Sequence, residues 1–205
     1  MQRRVSRHVG GVMSPLIRRS IVWEWCDRPG LEHLLLDIAD DGSSRADGLV
    51  MVALAGTLLR LRYAIQCDAP WRFRTATITA ESNGETRQRR IEHDDDGAWT
   101  VDGAARPDLA PCSDIDIMGT PFTNTMPIRR LALPVEQPVA LSVVYVSIPE
   151  LAVSLAAQDY TRRAGDATPA GFRYRSLGSG FTAELSVDAD GIVIDYGAIW
   201  RRRGG

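Results

Sequence analysis

The chain has 205 residues, of which 44% are hydrophobic and 24% charged, and its formal net charge is −2. These are ordinary globular values, and the slight acidity excludes the basic excess of a nucleic-acid binder. All 24 basic residues are Arg, a side chain that suits either a solvated surface or planar recognition of carboxylate and phosphate.

Cys26, Cys67 and Cys112 are too far apart for a metal-ligand motif or a dense disulfide frame. Reduced thiols and a cytoplasmic location are expected, with no metal and no cofactor. Residues 1–20 carry five Arg but no apolar core of a secretory signal, so they are expected to form a disordered arm. Residues 21–203 then make a single domain. No run of about 18 apolar residues is present, so no transmembrane segment is expected.

Short alternating or apolar runs separated by turn residues recur along the chain, which is an all-β pattern. The first strand is expected over residues 22–26, where Trp23 and Trp25 share a face opposite Glu24. These two rings suit either core packing or a platform for a sugar or lipid tail. Strands over 31–39, 49–55 and 58–66 follow. In the last of these, Leu59, Leu61, Tyr63 and Ile65 oppose Arg60, Arg62 and Gln66, the signature of a half-buried antiparallel strand. Arg60 with Arg62, and Arg72 with Arg74, form either solvated faces or a rim for an anionic head group. Asn83-Gly84 between residues 72–80 and 85–93 is the strongest hairpin signal. Asp94-Asp95-Asp96-Gly97 and Asp188-Ala189-Asp190-Gly191 lack the ordering of a calcium loop and read as solvated turns.

The segment from Cys112 to Leu133 is the most particular. On a strand, Cys112, Asp114 and Asp116 face one way, and Ile115 and Ile117 the other. The paired carboxylates call for a partner. Thr120 and Pro121 suit the start of a single helical turn reaching Met126, which Pro127 is expected to end. Arg129 and Arg130 then lie on a strand facing opposite sides, so that one of them pairs with Asp114 or Asp116. A strand over 140–148 is apolar on both faces and lies either between a core and a cavity or between two sheets. Residues 151–160 read as a strand despite a capping-box-like Ser147-Ile148-Pro149-Glu150. Strands over 172–177, 181–187 and 192–195 complete the pattern.

The run Asp114-Ile115-Asp116, Thr120-Pro121-Phe122-Thr123-Asn124-Thr125 and Pro127-Ile128-Arg129-Arg130-Leu131 resembles the signature of the bacterial "putative glycolipid-binding" family. Trp23-Glu24-Trp25, Leu31-Glu32, Gly97-Ala98-Trp99, Gln158-Asp159-Tyr160-Thr161, Tyr174 and the stretch Val187 to Tyr196 agree in order. The resemblance implies a fold like that of bacterial lipoprotein carriers: a strongly curved antiparallel sheet, a half-open barrel with at most short helices. It also implies an amphiphile ligand, such as a glycolipid or fatty-acyl compound, whose chain lies in an apolar concavity under a polar rim.

The residues expected to meet that ligand are Trp23, Trp25, Glu32, Tyr63, Asn124, Arg129, Tyr145 and Tyr160. Asp114, Asp116, Thr123 and Arg130 are expected to brace the sheet. An alternative is an interaction protein that forms a homodimer through the apolar face around Trp23 and Trp25. A further one is a lipid-directed enzyme using Asp114 or Asp116 as base, which needs a raised carboxyl pKa. A concave face filled throughout by its own side chains would overturn the amphiphile-binding reading.

Overall fold

The hairpin at Asn83-Gly84 forms as the dipeptide requires. Both residues have positive φ, 52° and 77°, which a tight hairpin turn demands and which Asn and Gly tolerate. It joins β5 (Arg72–Ser82) to β6 (Glu85–His93) with Ser82 opposite Glu85. The computed structural model describes residues 15–54, 56–165 and 169–205.

The remaining strands are β1 (Pro15–Trp25), β2 (Gly30–Ala39), β3 (Ser44–Leu54), β4 (Thr57–Asp68), β7 (Trp99–Val101), β8 (Ala104–Ala105) and β9 (Cys112–Ile117). After them come β10 (Pro138–Val146), β11 (Val153–Arg162), β12 (Ala170–Ser176), β13 (Thr182–Val187), β14 (Val193–Tyr196) and β15 (Trp200–Gly204). One short α-helix, α1 (Thr125–Arg130), and 3-10 turns at Pro107–Leu109 and Phe122–Asn124 are the helical content among the described residues.

All the strands belong to one sheet, ordered β8-β7-β6-β5-β4-β3-β2-β1-β15-β14-β13-β12-β11-β10-β9. Its neighbours pair antiparallel, apart from β9 and β10, which run parallel. A parallel pair needs a long crossover, and residues 118–137, which carry α1, supply it. The sheet curls so that β9 comes against β5 without hydrogen-bonding to it. The result is a mainly β, curved, half-open sheet.

The hydrophobic core follows from that curl. Leu34, Leu36, Val50, Leu61, Ile65, Phe73 and Ile78 from β2–β5 share one cluster with Ile115, Ile117, Phe122, Met126, Val144 and Val146. The crossover therefore plugs the concave side of β2–β5, which is not an open apolar trough. A second cluster, Ile128, Leu133, Tyr160, Phe172, Tyr174, Leu185, Val187 and Val193, lies under β11–β14. Where Tyr63 faces Gly48 across β3 and β4, its ring lies over the glycine, and a Cβ there would overlap it.

Three expectations change. β1 begins at Pro15 and pairs with β2 as far as Ala39, so residues 15–20 are strand rather than arm. Arg18 pairs there with Asp37, and Arg19 with Asp188 and Asp190. The rest of the expected arm lies outside the described residues. Pro127 does not end the helix: it stands in the first turn of α1, where an amide N–H would have no helical partner anyway. Arg129 and Arg130 are consequently helical, not strand, and diverge by about 100° instead of facing opposite sides. The strands β7, β8 and β15 were missed, being short or, for Trp200–Gly204, dominated by Arg.

Other expectations hold. Of residues 151–160, those from Val153 on are strand, in β11, while Ser147–Ala152 closes as a turn, with Leu151 N–H donating to Ser147 O at 3.0 Å. The doubly apolar strand β10 lies between core and cavity: Val144 and Val146 point into the first cluster, and Tyr145 into the space beyond.

Candidate functional site

On the concave side of β9–β15, beside the plug, the sheet leaves a cavity of about 390 Å³. Its inner wall is polar. Asp116 of β9, Tyr145 of β10, Gln158 of β11, Tyr174 and Ser176 of β12 and Thr120 of the crossover bring carboxylate, amide and hydroxyl groups to it. The opposite wall is aromatic. Trp25 and Trp200 face each other across the β1–β15 pair with ring centroids 4.6 Å apart. Tyr196 and Phe181 add rings that meet Tyr174 at 5.9 and 6.1 Å. At the mouth, Met118 and Phe181 remain 40% and 39% exposed beside the exposed Ser179.

Asp116 is the ionisable acid of this wall. Thr123 Oγ1 donates to its Oδ1 at 3.2 Å, and Gln158 Nε2 donates to its Oδ2. Burial raises its pKa, and these neutral donors offset only part of that rise. The same desolvation raises the Tyr145, Tyr174 and Tyr196 phenols, with the Asp116 charge acting in the same direction. Among the described residues, no Arg, Lys or His lines the cavity.

Asp114, two residues earlier, is held differently. It is fully buried and paired with Arg130 Nη2 at 2.5 Å, while Ser113 Oγ donates to it at 2.7 Å. Arg129 points away: its guanidinium donates to Asp190 O and lies 4.4 Å from the Trp71 ring centroid. One Arg of the pair thus meets the Asp motif and the other does not.

Of the residues singled out from sequence, Trp25, Tyr145 and Asp116 reach the cavity. Trp23 is fully buried, its indole N–H donating to Val193 O at 2.9 Å. Trp25 is buried too, so neither Trp is open to a partner chain. Glu32 and Tyr63 form a buried group behind the cavity wall. Tyr63 donates to Glu32 Oε1, and Thr120 Oγ1 donates to the same oxygen at 2.8 Å. Glu32 Oε2 has no hydrogen-bond partner among the described residues, and burial pushes the carboxyl up to about 8. Asn124 and Tyr160 brace each other, Tyr160 OH donating to Asn124 Oδ1 at 2.7 Å while Asn124 Nδ2 donates to Pro121 O. Arg60 and Arg62 pair with Glu81 and Asp47 on the outer face.

Gln158, Tyr174, Tyr196, Phe181 and Trp200 reach the cavity without having been singled out. Gln158, Tyr174 and Tyr196 belong to the stretches that carried the family resemblance, which was the available signal. Trp200 gave none, since the strand holding it was not foreseen.

The model of the family described as "Putative glycolipid-binding" matches residues 20–202. The chain belongs to this family. Among solved structures, it is similar to a DUF1089 family protein from Pseudomonas aeruginosa, with a TM-score of 0.74 and 32% identity, covering 98% of this chain and 100% of that one. No curated protein matches it. The family match takes in both walls of the cavity, from Trp25 to Trp200. Among the described residues, no helix is long and apolar enough to cross a membrane, and no group of three or more His, Cys, Asp or Glu side chains is placed to hold a metal ion.

Proposed function

We propose that the protein binds the head group of an amphiphile, a glycolipid or a related sugar–acyl compound, in the cavity between Asp116 and the Trp25–Trp200 pair. The observation that carries this is the split lining. Hydrogen-bonding groups from β9–β12 converge on one wall, rings stand on the other, and the mouth carries the exposed Met118 and Phe181. A sugar ring has both needs: hydroxyls for the polar wall, and C–H faces for the aromatic one. The volume of about 390 Å³ suits a head group of that size, with the tail leaving across Met118 and Phe181. This differs from the open trough expected from sequence, because the concavity under β2–β5 is already filled by the protein's own side chains.

The test is calorimetric titration with octyl glucoside below its micellar concentration, with tryptophan fluorescence as the local readout. Binding is expected to perturb the indoles at Trp25 and Trp200. Ala156 also lines the cavity, and Ala156→Trp is expected to fill it and weaken binding at least tenfold with the fold intact. Unchanged affinity in that variant, or no binding by the natural sequence, would overturn the proposal.

A further inference from the structure

We infer that the cavity selects an uncharged, hydroxyl-bearing head group against an anionic one, and that Asp116 sets this choice. The inference rests on the head-group reading above and adds the class of ligand to it.

The argument is one of charge placement. The chain carries 24 Arg, yet among the described residues none lines the cavity. Three Arg beside its walls or beside the Asp motif are each paired with an acid. Arg28 sits 4.8 Å from the Trp25 ring centroid and is paired with Asp27 at 2.9 Å. Arg130 is held by Asp114 and Arg175 by Asp159. An anionic head group entering here finds no guanidinium among the described lining residues. It finds the Asp116 carboxylate, whose own donors, Thr123 and Gln158, are neutral.

Two like charges about 5 Å apart in a partly dry site repel strongly enough to weaken binding on the order of 100-fold. A sugar hydroxyl, by contrast, donates to Asp116 and satisfies acceptor capacity that burial leaves short of water. The tyrosine hydroxyls of the same wall both donate and accept, so they serve a polyol without favouring charge. Phosphate, sulfate and carboxylate head groups are therefore disfavoured.

The experiment compares octyl glucoside with octyl glucuronide, which keeps the ring and tail and adds one carboxylate. Both are titrated below their micellar concentrations at neutral pH, and octyl phosphate serves as a second anion. The natural sequence is expected to bind the glucoside at least tenfold more tightly than either anion. In Asp116→Asn the gap between glucoside and glucuronide is expected to shrink by at least tenfold, with circular dichroism confirming the fold. Equal affinity for glucoside and glucuronide in the natural sequence would overturn the charge rule and leave the head-group reading standing. An undiminished gap in folded Asp116→Asn would remove Asp116 from its role. Binding of none of the three would overturn both readings. The comparison on the natural sequence decides the rule alone if the variant does not fold.

Discussion

Glu32 shows how burial sets the chemistry of a single residue. It is wholly enclosed, it accepts from Tyr63 and Thr120 through one oxygen, and desolvation lifts its pKa from its ordinary 4.5 to about 8. Between those values the folded protein keeps the proton and the unfolded chain has released it. Fewer protons bound in the unfolded state means that stability falls as pH rises, by about 1.4 kcal/mol per pH unit at its steepest. The contribution is complete below 4.5 and lost above about 8. His93, whose pKa burial lowers, acts with the opposite sign but only below its ordinary 6.5. Urea unfolding from pH 6.5 to 8 should therefore show declining stability. Glu32→Gln, neutral throughout and still able to accept from Tyr63 and Thr120, should flatten that decline. A slope equal to that of the natural sequence would show that Glu32 is not the group responsible. Thr120 also lines the cavity, so this buried acid stands one hydrogen bond behind the candidate site.

Among the elements, the crossover from Met118 to Gln137 decides most. It lets β9 run parallel to β10, plugs the concave side of β2–β5 with Phe122 and Met126, and brings Thr120 to the cavity wall and Thr123 to Asp116. Arg130, in the last turn of α1, fixes it to β9 through Asp114. Asp114 is only 1% exposed at its side chain, so the loss of its partner leaves an uncompensated buried charge. Arg130→Ala is expected to destabilise the protein by about 3–5 kcal/mol, measured as the shift in the urea midpoint multiplied by m. The exposed pair Arg60–Glu81 supplies the control: Arg60→Ala should cost no more than about 1 kcal/mol. Equal losses at the two sites would mean that Arg130 does not anchor the crossover.

For the molecule as a whole, the cavity joins the ends of the chain to its middle. Trp25 lies in β1, Trp200 in β15 and Asp116 in β9, the far edge of the sheet. A ligand that spans them ties the β1–β15 junction to the crossover, so it stabilises the single folded unit rather than one segment. At ten times its Kd, such a ligand adds about 1.4 kcal/mol. For a chain of this size that is a rise in Tm of roughly 3–6 °C. A single cooperative transition should move upward with octyl glucoside and stay fixed in Ala156→Trp. A transition that splits, with only part of it responding, would show that the two hydrophobic clusters unfold separately.

Much of the architecture is local information and is legible without coordinates. Alternation in residues 58–66 marks β4, Asn83-Gly84 marks the hairpin, and the two dry faces of β10 announce a strand between core and something else. The Asp114–Arg130 brace is legible as a need for a counter-charge, though not as a helix-to-strand contact, because Pro127 fits a first helical turn as well as it fits a stop. What lies beyond local reach is the cavity. Its lining comes from β1, β9–β12, β14, β15 and the loops between, and converges only because one open sheet curls back on itself and is plugged by its own crossover. Periodicity tells which face of a strand is apolar. It does not tell whether that face meets a neighbour or an empty space, since this depends on contacts between residues far apart in the chain. The sequence by itself therefore determined the family, most of the strands and the residues rich in chemistry. Tertiary structure alone decided that Asp116, Trp25 and Tyr145 face a common cavity while Glu32, Tyr63, Asn124 and Arg129 support its walls or stand apart from it.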